Sequence, residues 1–117
     1  MLERQTYLKP QETGISIQKV ISAAIVTPTF ENDEVIITAQ ATNLELKNPT
    51  GVAIDGKSLI IRIKDNGTAR SITFDTQYRA IGVTLPTTTT VNKITYLGLI
   101  FNETETKWDI IGVAQQV

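Results

Sequence analysis

The densest group of chemically capable side chains runs from Arg62 to Arg70, Arg-Ile-Lys-Asp-Asn-Gly-Thr-Ala-Arg. Arg62, Lys64 and Arg70 could hold a phosphate or a sulfated sugar through charge-assisted hydrogen bonds. Asp65 and Asn66 could cup a cation, and Asn66-Gly67-Thr68 has the pattern of a glycosylation acceptor, as does Asn102-Glu103-Thr104. Two further acidic groups stand out: Glu103 and Glu105, spaced like a glycosidase pair, and the run Glu31, Asn32, Asp33, Glu34. Each has a plainer alternative. Basic residues on the polar face of a hairpin keep it soluble and discourage stray strand pairing, or meet acidic groups across a subunit boundary. Glu103 and Glu105 fall in a hairpin loop, where water reaches both carboxyls, whereas a general acid needs one carboxyl raised in a cleft. The run at 31–34 lacks the alternating ligand spacing of a calcium loop. Asp65, Asp75 and Asp109 share no spacing, and both acceptor patterns follow from the abundance of threonine. Trp108 and Tyr96 could stack on a sugar, but core or interface packing on the terminal hairpin accounts for them better. No catalytic, cofactor-binding or metal-binding residues are expected.

Composition narrows the chemistry further. The chain of 117 residues has no cysteine and no histidine. That removes thiolate nucleophiles, disulfides, the usual general base and the commonest zinc ligand. Eleven basic and twelve acidic residues give a net charge of -1, without the electropositive footprint of a nucleic-acid binder. The polar opening Met1–Gly14 has no signal-peptide core, and no apolar run approaches the ~18 residues of a membrane helix. The expectation is a soluble protein with no nucleic-acid or membrane partner and no secretory leader.

The elements that must position these residues are strands. Threonine, isoleucine and valine make up 42 of the residues, and β-branched side chains favour extended backbone. Residues 1–24 are expected to be an arm or attachment segment and 25–117 a β domain. Ile15–Val26 scores equally on helix and strand templates and is assigned as extended. Val35–Leu46 alternates as one long strand or two short ones, and Asn48–Gly56 is crowded with turn formers. Lys57–Lys64 places Leu59, Ile61 and Ile63 on one face. Asn66-Gly67 then predicts a type I′ hairpin, with Asp65 opposite Thr68, Arg62 opposite Ser71, Ile61 opposite Ile72 and Leu59 opposite Phe74. After a threonine-rich loop at Thr87–Thr90, a second hairpin joins Asn92–Phe101 to Lys107–Val117. Its first strand is apolar on both faces and so requires cover on both sides, from a second sheet or from another subunit. The whole is expected to be a small all-β domain of about eight strands, an antiparallel β-sandwich or jelly-roll.

Several blocks in fixed order, Asn48-Pro49-Thr50-Gly51, Asp55-Gly56, Arg62–Arg70, Tyr78-Arg79, Leu85-Pro86 and Lys107-Trp108-Asp109, resemble a β domain of tailed-bacteriophage virion proteins. That module is similar to distal parts of tail-fibre or head-fibre chains and to stand-alone capsid decoration proteins, over about Thr38–Val117. The resemblance implies a structural or adhesive protein with no catalytic residues, on the virion surface and on the capsid exterior rather than the tail. It implies a homotrimer bound to the major capsid protein or another virion protein. The alternative is a tail-fibre tip whose loops, Asn102–Thr106 and Thr27–Glu34, contact host glycans. Because only a short arm precedes the domain, Tyr7, Leu8 and Lys9 are the expected capsid-docking residues. Tyr96, Leu99, Phe101 and Trp108 are the expected self-association residues, and Arg62, Lys64 and Arg70 the expected charge contacts between subunits.

Overall fold

The computed structural model describes residues 14–117. These residues form nine strands and no helix: β1 Ile17–Val20, β2 Ile25–Val26, β3 Glu34–Gln40, β4 Leu44–Leu46, β5 Ser58–Asp65, β6 Ile72–Phe74, β7 Tyr78–Ala80, β8 Ile94–Asn102 and β9 Lys107–Gln115. They make a six-stranded sheet in the order β1-β3-β5-β8-β9-β7 and a three-stranded sheet in the order β2-β4-β6. The all-β architecture and its packing as two sheets follow the composition.

The connectivity differs from the expectation. From β1 to β6 the chain alternates between the sheets, so each pass lays one strand in the large sheet and the next in the small one. Like strands therefore stack parallel: Ile17 beside Glu34 beside Ile60 in the large sheet, and Leu44 beside Ile72 in the small one. This is a solenoid-like winding of three turns, in which each turn is held by its neighbours. Among the described residues, antiparallel ladders join β8 to β9 and β8 to β5, with one isolated antiparallel bridge between Ser71 and Thr88. β7 closes the far edge, parallel to β9, with Tyr78 beside Trp108.

Two expectations are overturned here. Asp65 and Thr68 do not bracket a hairpin, because β5 pairs with β3 and β8 while β6 crosses to the small sheet beside β4. Of the two turn residues only Gly67 has positive φ, at 125°, and a type I′ turn requires it at both positions. Asn66-Gly67 is a corner between sheets. The boundary at residue 24 also moves, since Ile17–Val20 already pairs with β3 in the large sheet. Val35–Leu46 resolves into two strands, one in each sheet.

Between the sheets lies one apolar core. The large sheet contributes Val35, Ile37, Leu59, Ile61, Ile63, Leu97, Leu99 and Ile110, and the small sheet Val26, Leu44, Leu46 and Ile72. Phe30, from the loop before β3, packs against Phe101 edge-on at 4.9 Å and against Trp108 at 5.2 Å. The aromatic trio thus joins the wound part of the chain to the terminal hairpin, which is where aromatic surface contributes most to stability.

Polar side chains build the corners of the winding. Gln40, fully buried, accepts from the Ala23 N–H at 3.2 Å and donates to the carbonyls of Ala23 and Thr42 at 2.7 Å each. Its amide thereby mimics a strand between two stacked turns and satisfies groups that burial would otherwise leave orphaned. Asn43 accepts from the Ser71 N–H, and Asn48 accepts from the Gln77 N–H while donating to Thr76. Asp75 accepts from the N–H groups of Asn48 and Thr76, and these bonds hold its carboxyl below the ordinary carboxylate range.

Candidate interaction face

The large sheet has an inner face in the core and an outer face with no cover among the described residues. Strand alternation decides which residues lie outside. On β5 these are Ser58, Ile60, Arg62 and Lys64. Their β8 partners are Ile100, Gly98, Tyr96 and Ile94. On β9, Asp109 stands beside Ile100, Gly112 beside Gly98 and Ala114 beside Tyr96. A β-bulge between Ile110 and Gly112 places the additional residue Ile111 on this face as well, 51% exposed. At the other side β1 adds Ile17, 46% exposed.

The result is an apolar band across β5, β8 and β9. Ile60, Tyr96, Ile100 and Ile111 stand around Gly98 and Gly112, which sit side by side and carry no side chain, while Ile17 lies apart from them beyond Glu34 of β3. Exposed apolar groups scattered singly are ordinary, whereas a contiguous set on a flat face marks an association surface. Open grooves border the band at both ends. One of about 320 Å³ is lined by Gly14, Ile15, Asp33, Glu34, Ser58 and Ile60. The other, of about 400 Å³, is lined by Ile94, Tyr96, Ala114, Gln115 and Gln116.

The self-association residues expected from the sequence divide between the two faces. Tyr96 is on the outer face, but Leu99, Phe101 and Trp108 are at most 3% exposed within the chain's own core. They are corrected from surface to core. The residues that share the face with Tyr96 are Ile60, Ile100 and Ile111, and β1 supplies Ile17. Of these, the two-sided apolarity of β8 pointed to Ile100 alone. The others required knowing that β5 and β9 flank β8 and that β9 carries a bulge.

The basic trio also divides. Arg62 and Lys64 stand two residues apart on the outer face, at the edge of the apolar band. Tyr96 foremost, and Glu34 more weakly, raise the Arg62 pKa and keep its guanidinium charged. Arg70 lies at the corner beyond β5, where its buried Nε finds no hydrogen-bond partner among the described residues.

That corner is organised by Asp65, which is fully buried. Its carboxylate accepts from Thr89 Oγ1 at 2.7 Å, from the Gly67 N–H at 2.8 Å and from the Asn92 N–H at 3.0 Å. Burial pushes its pKa up, but the bonds from Thr89, Asn92 and Gly67, together with the Arg70 charge, outweigh burial and hold it below the ordinary value. The threonine-rich segment is thus part of the fold: Thr89 is buried against Asp65, and its N–H donates to the Arg70 carbonyl at 2.8 Å.

Three further carboxylates are tied to basic neighbours. Glu105 and Asp109 both bind Arg79, the latter at 2.7 Å from Nε, and Asp109 foremost, then Glu105, raise the Arg79 pKa. Asp33 binds Lys57 at 2.6 Å and accepts from the Ser16 N–H at 3.0 Å. Lys57 foremost, then the Ser16 N–H, lower its pKa. No group of three acidic side chains converges on a cation position among the described residues. Tyr7, Leu8 and Lys9 lie outside the described residues. Compared with protein-family models, with curated proteins and with solved structures, the chain finds no match.

Proposed function

We propose that this protein is a non-enzymatic structural component of a tailed-bacteriophage virion, a capsid decoration or head-fibre-like protein on the capsid exterior. It acts as cement: by binding the assembled lattice better than its free subunits it stabilises the shell. It does so as a homotrimer, with residues 1–14, including Tyr7, Leu8 and Lys9, contacting the major capsid protein.

The observation that carries this reading is the outer face of the large sheet. Its apolar band around Gly98 and Gly112 suits permanent burial better than reversible recognition of a small ligand. Three such faces turned toward a common axis would each meet two neighbours. Arg62 and Lys64, at the edge of the band, are placed for charge contacts with an adjoining copy.

Two measurements test it. Light scattering of the purified chain should give a trimer, and Ile100→Glu should yield monomer; a wild-type monomer would overturn the trimer. Deletion of residues 1–14 should leave a folded oligomer that no longer binds purified shells. Full shell binding without them would sink the docking role of that segment, and adsorption to host cells instead of shells would favour the tail-fibre reading.

A further inference from the structure

The sequence contains two dipeptides prone to succinimide chemistry, Asn66-Gly67 and Asp55-Gly56. In both, the glycine offers little steric hindrance to ring closure. At the first, the Gly67 amide nitrogen attacks Asn66 Cγ after losing its proton. A new N–Cγ bond forms, the Cγ–Nδ2 bond breaks, and ammonia leaves with the proton. Water then opens the ring at either carbonyl, giving aspartate or isoaspartate. At Asp55 the same attack by the Gly56 nitrogen, on the protonated carboxyl, expels its hydroxyl as water in place of ammonia.

We propose that the fold holds both latent modification sites closed by engaging the glycine N–H that must become the nucleophile. Gly67 donates to Asp65 Oδ2 at 2.8 Å, and Gly56 donates to the Phe101 carbonyl at 2.9 Å. The first contact is the stronger guard, because an anion beside the N–H opposes its deprotonation electrostatically as well as occupying it. The flanking groups add to this. The Asn66 N–H donates to the Gln40 carbonyl at 3.2 Å, and the Asp55 carboxylate accepts from the Glu103 N–H at 2.9 Å. Both side chains are nonetheless exposed, so hindrance lies in the backbone contacts and not in exclusion of water. Failure at residue 66 would add negative charge next to buried Asp65, and the isoaspartate product would lengthen the backbone by one carbon in the corner that Asp65 organises.

The experiment is peptide mapping by liquid chromatography and mass spectrometry, the chromatography separating isoaspartate from aspartate of equal mass. Incubation is at mildly alkaline pH for Asn66 and mildly acidic pH for Asp55, comparing the folded chain with the same chain in guanidinium. Modification at 55 and 66 should be about tenfold or more slower in the folded chain, because it then requires local opening; equal rates overturn the proposal. Asp65→Ala should accelerate deamidation of Asn66 while leaving Asp55 slow. Thr89→Val, which loosens the same corner but keeps the Asp65–Gly67 contact, should leave Asn66 slow. Equal acceleration by both variants would assign the protection to general rigidity and overturn the specific guard. If Asp65→Ala does not fold, the comparison of folded and unfolded wild-type chain decides alone.

Discussion

The turns from β1 to β6 and the hairpin β8–β9 contribute to one sheet by opposite means. In the hairpin, partners are close in the chain: Asn102 pairs with Lys107 across a four-residue connection, whose last residue, Thr106, takes a φ of 55°. In the winding, Val35 pairs with Ile61 and Leu44 with Ile72, so each ladder is built from residues separated by an intervening strand of the other sheet. A hairpin is specified by its turn and its alternation. A wound turn is specified by its corners, where Gln40, Asn43, Asn48 and Asp65 replace missing strand partners for the backbone. The two regions therefore depend on different chemistry, apolar packing across the seam and buried polar bonds at the corners.

The largest expected effect tests whether the two regions are one cooperative unit. Trp108→Ala removes one of the two hairpin rings that Phe30 of the winding meets, and should cost about 3–5 kcal/mol in chemical denaturation. Hydrogen exchange on this variant should show β3 and β5 loosening together with β9. Persistent protection of the winding alone would mean that the halves are separate folding units.

Next come the corners. Gln40→Ala deprives the Ala23 and Thr42 backbone groups of their buried partner, and Asp65→Ala does the same to the Gly67 and Asn92 N–H groups and to buried Thr89. Each should cost about 1–3 kcal/mol, read from the midpoint of a urea transition. A loss below the scatter at both positions would show that the winding is held by its core alone. Asp65 also gives a pH signature. Its pKa is lowered in the folded chain from 3.8, so its contribution is fully present above that value and is lost as pH falls through the lower folded value. The stability gap between wild type and Asp65→Asn should be constant near neutrality and close below about pH 4. A gap that widens in acid would contradict the assignment.

The smallest effect is expected on the outer face. Ile100→Glu should change monomer stability by no more than about 0.5 kcal/mol, since the position is exposed, while abolishing the self-association proposed above. A large loss in the isolated monomer would mean that Ile100 supports the fold itself.

How much could be read beforehand follows the same division. The terminal hairpin was legible because alternation and loop lie within one continuous stretch. The β class was legible from isoleucine, threonine and valine. The corner at Asn66-Gly67 was not, because the dipeptide signals a turn without saying which strand follows beside β5. The deciding group, Asp65, receives bonds from Thr89 and Asn92, more than twenty residues away. At the candidate face, Tyr96 was identified, but Leu99, Phe101 and Trp108 were placed outside. The alternation shows that β8 has two apolar faces and gives no sign of which of them the chain covers itself.

The position of β7 carries a consequence for how the domain is made. Tyr78–Ala80 emerges early, yet its place in the large sheet is beside β9, with β8 and β9 filling the space between it and β5. During synthesis the first three turns can stack as they leave the ribosome, but β7 has no ladder to join until residues 94–115 have been translated. The wound turns must wait with the β5 edge open, and β7 docks only after the hairpin has been seated. Pairing across such sequence distances is slow, and the exposed β5 edge during that interval is the point at which a nascent chain would meet another one.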